Sequence, residues 1–288
     1  MIPAKFDYVR PKSISEAMML LAQQDKKTAI LAGGHSLLTQ LKQRKRHVDL
    51  VVDLASLGLE AVSIRDEVLS IGAMAKQHEV SLSVLSTKWE LLSEIASAAA
   101  DPMIRTRGTV VGALCALEPG GDWAPAALVL DAQLSILHSD HEEICPYSDL
   151  LEMESPFPPT GSIVTGASFA APPEDAMIGY RKFKHSSIGW SVVSVAYSIA
   201  ATSARIAVSG ALERPTRLRQ LEQFLETNPR KTIDAQDLDP VLDQSLTGLN
   251  FRSDGYASAK YRKHRLKLML RDIVLASTNA NNSKRAAK

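Results

Sequence analysis

The sequence predicts an α/β chain that grades into α+β texture toward its C-terminus, and three observations predict it. First, Thr28-Ala29-Ile30-Leu31 runs through Ala32 into Gly33-Gly34-His35-Ser36, and an apolar run, Leu37-Leu38-x-x-Leu41, resumes at helical spacing. That order reads as strand, tight turn and helix start. Second, Asp-Leu-Val-Val-Asp-Leu at 49–54 reads as another buried strand, so residues 1–55 suit a βαβ unit. Third, residues 62–65 and 68–72 look like a hairpin joined by Asp66-Glu67, and the stretch beyond 177 is rich in valine, isoleucine, tyrosine and tryptophan with helices after it.

The remaining elements follow in order. Ser13 precedes a short amphipathic helix over 14–21, whose apolar face is Ala17, Met18, Leu20 and Leu21. Lys-Gln-Arg-Lys-Arg-His at 42–47 reads as a solvated helix end. A short helix or turn is expected at 80–85, and an alanine-rich helix at 90–100 that stops before Asp101-Pro102, because proline disfavours helical geometry in the residue before it. Residues 124–130 form a helix that tolerates Pro125 in its first turn. Residues 134–137 and 143–145 form a hairpin around His138-Ser-Asp-His141. Two histidines with flanking acids invite a metal reading there, but a polar turn is the simpler account and no metal ligand is assigned. Strands are expected at 162–169 and 204–211, strand or apolar helix at 178–184 and 190–201, and helices at 216–225 and 260–276, the last basic on one side. Three segments result, 1–55, 56–177 and 178–288.

Composition limits the functions open to the chain. Its 288 residues allow one large or two to three small domains. With 33 basic and 32 acidic side chains the net charge is +1, which gives no electrostatic case for a nucleic-acid partner. Cys115 and Cys145 cannot by themselves supply a four-cysteine iron–sulfur or zinc site. No apolar run approaches the roughly 20 residues of a transmembrane segment, and Met-Ile-Pro-Ala-Lys-Phe-Asp-Tyr has no signal core. A cytoplasmic protein is expected.

The chemistry concentrates at the glycines. Gly33 and Gly34 let the backbone turn left-handed and present bare N–H groups, and Ser36 stands where a helix N-cap is expected. Successive free amides suit an anion, most often phosphate. An ordinary strand-to-helix turn is the competing account.

Further motifs extend the pattern: Ala100-Asp101-Pro102-Met-Ile104-Arg-Thr-Arg-Gly108-Thr109-Val110-Val111-Gly112-Ala113, then Glu118-Pro119-Gly-Gly-Asp122, with Phe6-Asp7-Tyr8-x-Arg10-Pro11 at the start and Tyr180-Arg-Lys182-Phe183 later. Together they closely resemble the FAD-binding medium subunit of the molybdenum hydroxylases, a family that includes carbon monoxide dehydrogenases and bacterial N-heterocycle hydroxylases. The resemblance implies a three-domain FAD-binding fold, like that of the vanillyl-alcohol oxidases, with a C-terminal antiparallel sheet plus helices. It implies that Ala32, Gly33, Gly34, His35 and Ser36 form one diphosphate loop, and Thr109, Val110, Val111, Gly112 and Ala113 the other. It assigns Asp122 to a carboxylate that meets FAD, Val164 and Ile104 to apolar positions beside the flavin, Lys182 to a basic residue near its ring, and Trp190 to an aromatic that shields the isoalloxazine. Asp122 as a helix cap, Lys182 as surface charge and Trp190 as core are the plain alternatives.

Val111 departs from the family, which usually has glycine there; a branched side chain resists positive φ and is expected to crowd the diphosphate unless φ is negative. Ala116 and Glu118 replace a common His and Asp. The resemblance implies an electron-transfer role with no catalytic residue on this chain. A large partner subunit carries the molybdenum (molybdopterin) cofactor, a small one carries two [2Fe–2S] clusters, the assembly is a dimer of heterotrimers, and an external acceptor takes the electrons. Two rival readings are a flavin-free interaction subunit, motivated by Val111, and a stand-alone flavin oxidoreductase.

Overall fold

The computed structural model describes residues 2–153, 157–185, 189–228 and 233–286, with side chains described up to residue 277. In chain order the elements are β1 (Asp7–Val9), α1 (Ile14–Leu21), β2 (Thr28–Leu31), α2 (Leu37–Lys42), β3 (Leu50–Asp53), β4 (Val62–Arg65), β5 (Val68–Gly72), α3 (Gln77–Ser83), α4 (Glu90–Ala98), α5 (Pro102–Arg105), α6 (Val110–Cys115) and α7 (Trp123–Val129). Then follow β6 (Gln133–Leu137), β7 (Glu142–Pro146), α8 (Tyr147–Leu150), β8 (Ile163–Ala170), β9 (Met177–Lys184), β10 (Ser191–Ile199), β11 (Ala204–Ser209), β12 (Thr216–Arg217), α9 (Arg219–Thr227), α10 (Ala235–Ser245) and α11 (Ala259–Ala286). The chain divides into two compact units. One comprises Met1–Trp89, Ala100–Leu117 and Asp131–Ala171, the other Glu90–Ala99, Glu118–Leu130 and Pro172–Lys288. Among the described residues no helix is long and apolar enough to cross a membrane.

The first unit holds two sheets. The smaller is parallel, in the order β1-β3-β2. Its central strand is buried on both faces, because alternate side chains serve different helices. Leu50 and Val52 pack with Ala17, Met18 and Leu21 of α1, while Val51 packs with Leu37 and Leu41 of α2. The larger sheet is antiparallel, in the order β4-β5-β8-β6-β7. Asp66 and Glu67 join β4 to β5 with φ of 49° and 61°, the two left-handed residues that a two-residue hairpin turn demands.

The second unit is built on the antiparallel sheet β12-β11-β10-β9. All nine residues of β10 are buried. Large side chains at Val193, Val195, Tyr197 and Ile199 meet Leu221, Leu238, Leu242, Leu266 and Leu270 of α9, α10 and α11. The intervening positions are small, Ser194, Ala196 and Ser198, and the alanine-rich α7 packs against β10 and β11.

One expectation changes, one alternative is resolved and one element is new. Residues 216–225 are not one helix: Thr216 and Arg217 pair with Val208 and Ala207 as β12, and α9 starts at Arg219. Of the two alternatives left open for 190–201 the structure takes the strand, Ser191–Ile199, with Trp190 just outside it. The α10 helix fills a stretch with no legible sequence signal, because Pro240 inside it hides the helical pattern.

Candidate functional site

Both glycine loops lie in the first unit, and their backbones meet there. A Cβ on Gly33 would fall 2.6 Å from the Gly108 Cα, 2.6 Å from the Arg107 carbonyl oxygen and 2.9 Å from the Thr109 nitrogen. Only glycine allows that approach. Gly34 supplies the turn itself, with φ of +82°. A Cβ on Gly112 would stand 3.8 Å from the Ala32 Cβ, so the far ends of the loops are neighbours too. The N–H groups of Gly33, Gly34, His35 and Ser36 have no hydrogen-bond acceptor among the described residues, and neither has that of Val111. Two adjoining glycine-lined bends with free N–H donors have the chemistry of an anion cradle.

The second loop is held by its neighbours. The Gln77 N–H donates to the Gly108 carbonyl oxygen (2.8 Å) and the Val110 N–H to that of Ala75 (3.2 Å). Thr109 caps α6, its Oγ1 accepting from the Gly112 N–H at 3.1 Å. Val110 is wholly buried, and Ala113 lies on the first turn of α6 and is part-buried. Val111 also lies in that turn, with negative φ and a side chain only 2% exposed. The helical backbone therefore accounts for valine where the family has glycine: no left-handed residue is needed, and the branched side chain packs into the protein. Ser36 differs from expectation in the other direction. Its backbone is already helical (φ −82°, ψ −58°) and its hydroxyl makes no cap; Oγ instead accepts from Gln40 Nε2.

Side chains around the cradle add chemistry. His35 is exposed, and partial burial followed by the nearby Arg107 charge pushes its imidazole below the usual range, against a smaller upward pull from Asp101. Asp101 caps α5 through the Ile104 N–H (2.9 Å), and the Ile104 carbonyl oxygen accepts from Gly108 (2.7 Å), so Ile104 adjoins the second loop. Val164 is buried on β8 opposite Ile136. Gln77, unremarked in the sequence, places its Nε2 3.1 Å from the absent Gly108 Cβ, and its Oε1 is buried without a partner. Such an orphan is costly, about 1–3 kcal/mol. Gln77 thus borders the second loop with one acceptor still open.

Asp122 and Lys182 meet each other in the second unit. Lys182 Nζ donates to Asp122 Oδ2 (2.8 Å), to the Gly189 carbonyl oxygen (2.7 Å) and to the Ala98 carbonyl oxygen (3.0 Å), the last an open group at the end of α4. Asp122 Oδ1 accepts from Tyr180 (2.5 Å) and Ser191 (2.8 Å). Asp122 does not cap α7, and Lys182 is not surface charge: each side chain is 6% exposed. The three ammonium hydrogens are all engaged and the two charges balance. Burial, then the Asp122 charge, pushes the Tyr180 phenol well above its usual range, so it stays a donor. Tyr180 and Ser191 were legible only as part of the motif and as a strand start. Trp190 is not core; it is 52% exposed.

Residues 4–166 match the family described as the FAD binding domain in molybdopterin dehydrogenase, and residues 178–277 match the CO dehydrogenase flavoprotein C-terminal domain. The fold and the cradle thus define a flavoprotein of the molybdopterin dehydrogenase class, an oxidoreductase family. Within that class the chain belongs to the FAD-binding medium subunits of molybdenum hydroxylase-type complexes. It is 29% identical to the carbon monoxide dehydrogenase medium chain of Afipia carboxidovorans, covering 95% of this chain and 97% of that one. It is 28% identical to the 6-hydroxypseudooxynicotine dehydrogenase complex subunit alpha of Paenarthrobacter nicotinovorans, covering 94% and 93%. Among solved structures, CO dehydrogenase from Oligotropha carboxidovorans superposes with a TM-score of 0.86 at 28% identity, over 94% of this chain and 97% of that one. Quinoline 2-oxidoreductase from Pseudomonas putida shares the fold, with a TM-score of 0.88 at 23% identity, over 98% and 99%.

Proposed function

We propose that this chain is the electron-relay subunit of a heteromeric molybdenum hydroxylase in the cytoplasm. A small partner's [2Fe–2S] clusters deliver electrons, a large partner holds the molybdenum cofactor and the substrate, an external acceptor takes the electrons away, and the complex is a dimer of heterotrimers. The observation that carries the reading is the backbone contact of Gly33 with Gly108, which sets free N–H groups from two distant segments around one cradle. FAD, when bound, supplies a carrier that takes and gives up electrons singly or in pairs. The protein's own part is to hold it. Gly33, Gly34, His35 and Ser36 offer main-chain donors to a diphosphate, and the Gln77 amide offers a further polar contact. Asp122 is held by Lys182, Tyr180 and Ser191. The flavin contacts of Ile104, Val164, Asp122, Lys182 and Trp190 are proposals that rest on the family resemblance, and the division of the chain near residues 55 and 177 is a proposal that rests on the change of pattern along the sequence.

The flavin-free alternative drew on Val111, which α6 accommodates. The test is isolation of the chain from its native host, with assay of flavin, iron and molybdenum and identification of what co-purifies. The reading expects FAD on this chain and iron- and molybdenum-bearing partners. A chain that arrives alone and turns over a small substrate, or one that cannot be loaded with FAD, overturns it.

A further inference from the structure

The β6–β7 hairpin carries three metal-ligating side chains on one face, independently of the flavin reading. β6 and β7 pair Leu137 with Glu142 and Ile136 with Glu143, and the His138 N–H closes the turn on the His141 carbonyl oxygen (2.9 Å). His138 and His141 are therefore cross-strand neighbours, and Glu143, two residues beyond His141, projects to the same side. One ligating atom from each of the three lies within 4.8 Å of the other two. The imidazoles stack with centroids 4.5 Å apart. His138 Nε2 meets Glu143 Oε2 at 2.9 Å, and His141 Nδ1 meets Asp140 Oδ1 at 2.8 Å. The Asp140 contact draws the His141 proton to Nδ1 and leaves the Nε2 lone pair open, the arrangement that carboxylates commonly impose on metal-binding histidines.

We propose that this hairpin tip is a two-histidine, one-carboxylate site for a divalent transition ion such as Zn²⁺ or Cu²⁺, with Asp140 orienting His141 and a remaining coordination position open to water. Two imidazoles and a carboxylate suit these borderline ions and not Mg²⁺ or Ca²⁺, which need more oxygens. Tetrahedral ligands at about 2.05 Å from zinc stand about 3.3 Å from one another. The three donors must therefore draw together by up to about 1.5 Å. His141 is 59% exposed and Glu143 44% exposed, so both can turn to a new rotamer without disturbing the core.

The test uses the full chain, stripped with a chelator, titrated with zinc chloride by calorimetry and with Cu²⁺ by electron paramagnetic resonance. One ion per chain is expected, with two-nitrogen hyperfine structure for copper. His138→Ala and His141→Ala should each weaken binding by on the order of tenfold or more, as should Asp140→Asn through the orienting contact. The double variant His138→Ala/His141→Ala should abolish binding and leave FAD loading and the circular dichroism spectrum unchanged. A Cys115→Ser/Cys145→Ser chain should bind as the unaltered protein does. Absence of stoichiometric binding, or binding that survives in the double histidine variant, overturns the proposal.

Discussion

Replacing Gly33 by alanine tests the cradle most directly. The new Cβ would fall 2.6 Å from two backbone atoms and 2.9 Å from a third, none of which can swing aside as a side-chain end would. An ordinary contact begins at 3.4 Å, so the loops must part by about 0.8 Å. An N–H···O contact to phosphate of about 2.9 Å would stretch beyond hydrogen-bonding range. Losing one such charge-assisted bond removes about 1.5–3 kcal/mol, a 10- to 100-fold rise in the FAD dissociation constant at about 1.4 kcal/mol per decade. The assay is fluorescence titration of the flavin-free chain with FAD, beside the flavin-to-protein absorbance ratio after desalting. Gly255→Ala is the control, since nothing lies within 4 Å of a Cβ there and its φ is not positive. A folded Gly33→Ala protein that binds FAD within twofold of the unaltered chain refutes the argument.

Three more outcomes are expected. Val111→Gly should not tighten FAD, because the valine is packed in α6; it should lower unfolding stability by about 2–4 kcal/mol, from helix propensity and lost burial, and a tighter flavin would contradict the placement. Gln77→Leu should stabilise the flavin-free chain by removing a buried unpaired oxygen, about 1–3 kcal/mol, while weakening FAD several-fold; a less stable chain with unchanged FAD affinity counts against a ligand-facing amide. Burial alone would raise the Asp254 carboxyl, but the Tyr256 and Ala257 N–H groups and the buried Arg262 guanidinium (2.7 Å to each oxygen) together hold it below its ordinary value of 3.8. Its folded value lies below the unfolded one. The stability it contributes is thus complete above about pH 4 and lost as pH falls through the folded value. Urea midpoints between pH 6 and 3 should show that loss, and Asp254→Asn should flatten it.

Elements with strong local signals were legible in the sequence. Ser13 and the apolar spacing after it give α1 its bounds, and Asp66-Glu67 marks its hairpin. The cradle was legible as two glycine motifs, because glycine reports a backbone need that no other residue meets. Gln77 was not, since its role comes from Gly108, which is distant in sequence and which its own neighbours do not announce. The same holds for Arg262. By composition it belongs to the basic face of a solvated helix, yet it is 2% exposed and donates to the Val192 and Gly210 carbonyl oxygens as well as to Asp254. A cation whose partners are a carboxylate and two carbonyl oxygens, two of the three from distant segments, leaves no pattern to read. Thr216-Arg217 failed for the same reason: two residues of strand carry no period.

The order in which the segments alternate between the two units bears on how the chain is made. Segments Glu90–Ala99 and Glu118–Leu130 are synthesised long before the strands with which they are grouped. All seven residues of α7 are buried in the finished protein, so on the ribosome this apolar helix must wait uncovered until β10 and β11 emerge. A fragment ending at residue 171 would keep that helix without its cover. Truncation near the boundary between the two matched families should therefore yield an insoluble product, not an autonomous flavin-binding half.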